Sequence, residues 1–271
     1  MEACLQYIQH RNKRIVDGVK KLGRRCGEAG LHNLRVDIKK QRAFYRLLRL
    51  VDPDFPYRDF YYTLKKVFAH GGVVREIHRQ LHLLKDAGDI AHHFSRKYRR
   101  YLSNAYRLAR NDFRDYAHKM QPPGWEEIEH PIIQALGNCI QPTLEEYFQQ
   151  LRSQAEEIID RLDVCSNEEL HQLRKIIKDY EANRKMSSLY FRFETGPCVG
   201  LSIDTGALLE QLGLWHDYDT AWRRLKTDLS ATYWSAADQL AGRQLLLRWQ
   251  RRSNRMKQKL KKLLHTTTDN A

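Results

Sequence analysis

The sequence has no stretch approaching the roughly 18 consecutive apolar residues that a membrane-spanning helix needs. Its opening, Met1 to His10, lacks the basic-then-apolar order of a secretory leader, so a cytoplasmic protein is expected. Cysteine is sparse: Cys4, Cys26, Cys139, Cys165 and Cys198 are odd in number and show no CxxC spacing. That disfavours both a disulfide framework and a zinc knuckle and leaves free thiols that mostly serve packing. Strand-type alternation of β-branched residues is nearly missing, which predicts almost no sheet. No GxxxxGK(S/T) loop, GxSxG elbow, HExxH pair or Cys/His nucleophile set occurs, so neither an enzyme nor a bound cofactor is expected.

What remains is helical periodicity and charge. Hydrophobic residues make up 42% of the 271, enough for a core, while 30% charged residues and a mean hydropathy of -0.69 wrap that core in a polar surface. The formal net charge of +14 is uneven: residues 1–120 hold 27 Lys+Arg against 12 Asp+Glu, residues 121–240 hold 11 against 20, and residues 241–271 hold 9 against 1. A localised basic excess points to an anionic partner.

Breaks are expected at Gly27 to Gly30, Asp52 to Pro56, Gly71 and Gly72, Gly88, Gln121 to Gly124, Pro131, Pro142, Cys165 to Asn167, Thr195 to Gly200 and Gly213. The segments between them have helix length, a bundle pattern. Ser166, Asn167, Glu168 and Glu169 read as a helix start, and His265 to Ala271 as a frayed tail. Leu31, His32, Asn33, Leu34, Arg35, Ile38 and Lys39 recur as Leu170, His171, Gln172, Leu173, Arg174, Ile177 and Lys178, at a constant offset of 139 (170 less 31). Two halves on one helical plan follow, divided at Pro122, Pro123 and Gly124 into 1–124 and 125–264, with an approximate two-fold relation.

At about 100° per residue, His32, Arg35, Lys39, Arg42, Arg46 and Arg49 fall in one narrow arc, beside an apolar arc of Leu31, Leu34, Ile38, Tyr45 and Leu48. The row rises about 25 Å, enough to track a chain of phosphates. Arg offers planar bidentate donors, Lys a point charge and His further N–H groups, and no carboxylate on the row neutralises it. His171, Arg174, Lys178 and Lys185 form the second row, with Glu181 standing where Arg42 stood. A third set is Arg248, Arg251, Arg252, Arg255, Lys259 and Lys262 beside Leu245, Trp249, Met256 and Leu260; a fourth is Lys13, Lys20 and Arg24 with Arg14, Lys21 and Arg25. One continuous anion site is expected from the first two rows with Arg248, Arg252, Arg255, Arg14 and Lys21.

These strings resemble the CHAD domain, the histidine α-helical domain that binds polyphosphate: its H-x-L-R followed by a basic residue is matched by His32, Arg35, Lys39 and Arg42, and by His171, Arg174 and Lys178. The family's L-G-x-x-N/R-D turn is matched by Leu212, Gly213, Leu214, Trp215, His216 and Asp217, whereas Gly88, Asp89, Ile90, Ala91 and His92 lack the Arg-Asp pair. The resemblance spans residues 1–264. It implies an all-α fold of two four-helix bundles related by two-fold symmetry, with inorganic polyphosphate between them and an association with polyphosphate granules or polyphosphate-metabolising enzymes. Two rivals stand beside it. Nucleic acid also offers phosphates, with Tyr57, Tyr61, Tyr62, Tyr98, Tyr101 and Tyr106 as stacking platforms or core residues. A metal-dependent phosphohydrolase would use His78 and His82, at i and i+4, with His92 and His93 nearby.

Overall fold

The computed structural model describes residues 2–85, 92–199, 204–231 and 233–265. Among the described residues there are nine α-helices and no strand, and 86% of those residues are helical, as the periodicity requires. The helices are α1 (Glu2–Arg24), α2 (Glu28–Val51), α3 (Tyr57–Lys85), α4 (His92–Lys119), α5 (Trp125–Gly137), α6 (Gln141–Asp160), α7 (Asn167–Phe191), α8 (Thr205–Leu229) and α9 (Ala236–His265). The starts of α6 and α7 follow those of α1 and α2 by 139 residues (141 less 2, 167 less 28), the same offset as the repeated string.

Local chemistry explains three of the helix starts. Ser166 caps α7: its Oγ accepts from the Glu169 N–H at 3.2 Å while its own N–H donates to Glu169 Oε2 at 2.7 Å, a reciprocal capping box. At α5 the Gly124 N–H donates to Glu127 Oε1 at 2.9 Å. Pro142 stands in the first turn of α6, where a missing N–H costs nothing.

Three expected breaks are helix interior instead. Gly71 and Gly72 lie inside α3, Pro131 inside α5 and Gly213 inside α8. At Gly71 the missing side chain serves packing: a Cβ there would stand 2.9 Å from Leu31 Cδ1 and 3.3 Å from Phe113 Cε2, so glycine lets α2 and α4 approach α3. Burial of the helix at Gly213 overrides its weak propensity, with Leu212 and Trp215 both fully enclosed. The segment Leu212 to Asp217 is therefore helical and not a turn. Gly88 lies outside the described residues, as does the tail beyond His265.

The chain divides into two compact units, each built from two separated stretches. Unit 1 comprises Met1–Gly71 with Asp112–Thr205, and unit 2 Gly72–Asn111 with Gly206–Ala271. Each takes residues from both sides of Pro122 and Pro123, so these units do not coincide with the halves 1–124 and 125–264. In unit 1, Ile8, Ile15 and Val19 of α1, Leu34, Ile38, Phe44 and Leu48 of α2, and Leu173, Ile177 and Tyr180 of α7 are buried, each large apolar side chain contributing about 1.5–3 kcal/mol. Unit 2 has its own core, with Ile77, Phe94, Tyr98, Leu102, Leu225, Trp234, Leu245 and Trp249.

Close approach in unit 1 also rests on Gly23 of α1, where a Cβ would meet the His118 backbone N at 3.1 Å and Cα at 3.2 Å. Backbone atoms cannot swing aside as a side-chain end can. Gly23→Ala should therefore destabilise the protein by about 1–3 kcal/mol, even though alanine favours a helix interior by about 1 kcal/mol over glycine. Urea denaturation checks this; a gain in stability would mean that α1 and the end of α4 are not so closely apposed.

Candidate anion-binding site

The repeated strings lie on α2 and α7, two helices that pack against each other in unit 1. As the sequence pattern requires, Leu31, Leu34, Ile38, Tyr45 and Leu48 of α2 are buried, and so are Leu170, Leu173 and Ile177 of α7. The polar members of the strings are thereby turned to the edges of the packed pair. His32, Arg46 and Arg49 are exposed, while Arg35, Lys39, Arg42, His171, Arg174 and Lys178 are half-buried.

The first row is not an uninterrupted strip of open cations. Asp179, buried in α7, takes Arg42 Nη2 on Oδ1 at 3.1 Å and Arg46 Nη1 on Oδ2. No carboxylate stands on the row itself, but the second repeat supplies one across the helix pair, which a single-helix projection does not reveal. The Tyr57 hydroxyl joins Arg46 and the Tyr61 hydroxyl joins Arg42. Burial works against the charge of Arg46, yet Asp179 and Tyr57 together hold its guanidinium above the ordinary value. Arg35 is committed to packing: its guanidinium lies 3.8 Å from the centre of the Phe68 ring and donates to the Phe68 carbonyl. Lys39 reaches the same ring at 5.6 Å. In the second row, Arg184 is tied to Glu181 at 2.9 Å, so the acidic interruption has its own cation.

One gathering of cations in unit 1 brings together residues of α1, α2 and α7. Arg14 bonds the buried Asp37 at 2.9 Å, and Arg11, Lys40 and Lys185 stand within electrostatic reach. Burial and the neighbouring Arg11 hold the Lys40 ammonium below its ordinary value; Asp37 pulls the other way, and Lys185 and Arg14 add to the depression. Burial likewise lowers the Arg11 guanidinium to about 10, with Asp37 opposing; Arg11 packs over the Tyr7 ring at 4.3 Å. Buried Arg11 and exposed Arg14 and Lys40 about Asp37, with exposed Lys185 beside Lys40, leave an excess of positive charge that an incoming anion would relieve.

Arg14 and Lys185 are expected site residues; Arg11 and Lys40 are not. The signal for Arg11 is present in the sequence, because it shares the apolar face of α1 with Cys4, Ile8 and Ile15, and a cation at a core position needs a partner. Lys21 is exposed near the end of α1. Arg252 and Arg255 are exposed and Arg248 is half-buried on α9, beside buried Leu245, Trp249 and Leu260, and these residues belong to unit 2. The structure thus brings the α2 and α7 strings together with Arg14 and Lys185 in one unit. Asp217 is a pairing residue, held by Arg79; burial opposes its charge, but hydrogen bonds from His216 and Arg79 lower its carboxyl below the usual range. Tyr98 is no stacking platform: it is fully buried and donates to Asp228 at 2.7 Å. No family model matches the chain, and no curated protein matches its sequence.

Removing the shared carboxylate tests this geometry. Asp179→Asn leaves Arg42, 15% exposed, without its charge partner, and should cost roughly 2–3 kcal/mol, below the range for fully buried pairs because Arg46 is 47% exposed. Chemical denaturation should show the loss, and Arg42→Gln combined with Asp179→Asn should cost less than the two single changes added together.

Proposed function

We propose that this chain is a CHAD-like, non-catalytic binder of inorganic polyphosphate, and that its site in unit 1 centres on Arg11, Arg14, Lys40 and Lys185, flanked by the His32–Lys39 and His171–Lys178 strings. The observation that carries the reading is the ion pair of Arg14 with buried Asp37, with Arg11 and Lys40 within electrostatic reach of the same carboxylate and Lys185 beside Lys40, whose charge these cations disfavour. A chain of phosphates supplies closely spaced negative oxygens that satisfy such a cluster at several points at once, whereas orthophosphate engages only one.

The two-fold plan has support of its own. In unit 1, Asn183 donates to the Ala43 carbonyl at 2.9 Å and Arg42 to Asp179, residues 140 and 137 apart. In unit 2, Arg79 and Asp217 are 138 apart, Gln80 and Ala221 141, and Lys97 and Asp238 141. The repeat offset is 139, so in each unit residues bond close to their own repeat equivalents. In a pseudo-symmetric pair, only residues near the two-fold axis can do so. The α2–α7 crossing is thus the place where the two copies of the string converge, which suits a linear ligand better than a compact one. In this reading the protein acts in the cytoplasm, on polyphosphate granules or beside polyphosphate-metabolising enzymes.

Thermal denaturation with long-chain polyphosphate tests the proposal. Because the ligand binds the folded chain, Tm should rise with polyphosphate and not with orthophosphate at equal phosphate, and the rise should shrink steeply with salt. Lys40→Gln with Lys185→Gln should abolish most of that rise while stabilising the unliganded protein by a few tenths of a kcal/mol, through relief of like-charge repulsion. A double variant that keeps the full polyphosphate shift would remove the cluster from consideration.

A further inference from the structure

Dividing the formal charge by compact unit gives a result that no cut along the sequence reveals. Unit 1 holds 26 Lys+Arg against 24 Asp+Glu, a net of +2; unit 2 holds 21 against 9, a net of +12. Nearly all the excess positive charge therefore belongs to the smaller unit, and 14 of its 21 cations are arginine.

Part of this charge forms a row on α4. Arg96, Arg100 and Arg107, at i, i+4 and i+11, fall within about 40° of one another and rise about 16 Å, and Arg99 flanks them by about 60°. All four are exposed, and among the described residues none of them makes an ion pair or a hydrogen bond. Arg42 and Arg46 are held by Asp179, whereas on α4 Lys97 alone takes the neighbouring carboxylate, bonding Asp238 at 2.8 Å. The opposite side of the helix is spent on the core of unit 2 through Phe94, Tyr98 and Leu102, so the arginines face away from that core. Arg251, Arg252, Arg255 and Lys259 of α9 add exposed cations to the same unit.

We propose that this α4 face of unit 2 is a second polyanion surface, separate from the polyphosphate site of unit 1, and that its partner is the phosphate backbone of a nucleic acid, gripped without regard to base sequence. Arginine favours this partner because its planar fork takes two oxygens of one phosphate, and a straight row of such forks follows a backbone of regularly spaced phosphates. An anionic lipid surface fits less well. A helix lying on a bilayer sinks an apolar face into the headgroup boundary, and the apolar face of α4 is already used inside the unit. Between Arg100 and Arg107 the row carries Ser103 and Asn104 rather than large apolar side chains.

The test uses the full chain and a single-stranded RNA of roughly 20 nucleotides, with binding followed by anisotropy across a salt series. Replacing Arg96, Arg99, Arg100 and Arg107 together by Gln should weaken RNA binding by at least about tenfold and reduce the slope of log affinity against log salt by about 3, the contribution of four phosphates on a single strand. The same variant should keep the polyphosphate-induced rise in Tm, while Lys40→Gln with Lys185→Gln should do the reverse, so failure of one site is distinguishable from failure of the other. A milder pair, Arg100→Gln with Arg107→Gln, gives the same reading with half the change in slope if the fourfold variant folds poorly. The proposal is overturned if the variants bind RNA with unchanged affinity and slope. It is equally overturned if the wild-type chain ignores RNA at low salt, or binds vesicles rich in anionic lipid in its place.

Discussion

The arrangement of unit 1 depends on one buried carboxylate. Asp179 projects from α7 between Arg42 and Arg46 of α2, and so joins the helix carrying the first repeated string to the helix carrying the second. A carboxylate withdrawn from water is tolerable only when it is paired and hydrogen-bonded, and two guanidinium groups from the facing helix meet that demand. The same contact fixes the register of α2 against α7, with Asn183 bonding the Ala43 carbonyl at 2.9 Å one turn along. It also divides the first basic row, so that Arg42 and Arg46 serve cohesion while Lys40, on another side of α2, faces cations of α1 and α7.

This division changes what a row of cations means. A charge engaged by a buried partner contributes little to the outward field, whereas one crowded by like charges or left facing solvent contributes fully. Arg35, stacked on Phe68, falls between these cases: its position is set by packing although its charge remains. Which cations are left to face an anion thus depends on which the fold has already satisfied. The unequal charge of the two units follows from the same physics, because the acidic residues of α5, α6 and α7 offset the basic ones of α1 and α2 within unit 1, and no comparable acidic stretch enters unit 2.

Much of the secondary structure was legible in the residues. The buried arc of α2, from Leu31 to Leu48, and the capping box at Ser166 depend on spacing and on side chains a turn apart, and both stand as the pattern requires. The misread glycine breaks share one cause. Gly71 and Gly213 are weak helix formers, but each lies in a helix stabilised by tertiary burial, and at Gly71 the small residue is needed for Leu31 and Phe113 to come close. Propensity describes an isolated helix, and these helices are not isolated. Arg11 was legible in principle, as a cation among Cys4, Ile8 and Ile15, but the identity of its neighbours was not.

The sequence alone determined that the protein is helical, that one helical string occurs twice, and which face of α2 is apolar, because each of these depends on residues a few positions apart. Only the tertiary structure decided that Asp179 would occupy Arg42 and Arg46, that Lys185 would come beside Lys40 and the Arg11–Arg14–Asp37 group, and that the basic excess would belong to unit 2. Those outcomes join distant parts of the chain, Arg42 and Asp179 being 137 positions apart. Electrostatic interaction is a function of distance through space and of burial, neither of which is written in the order of the residues.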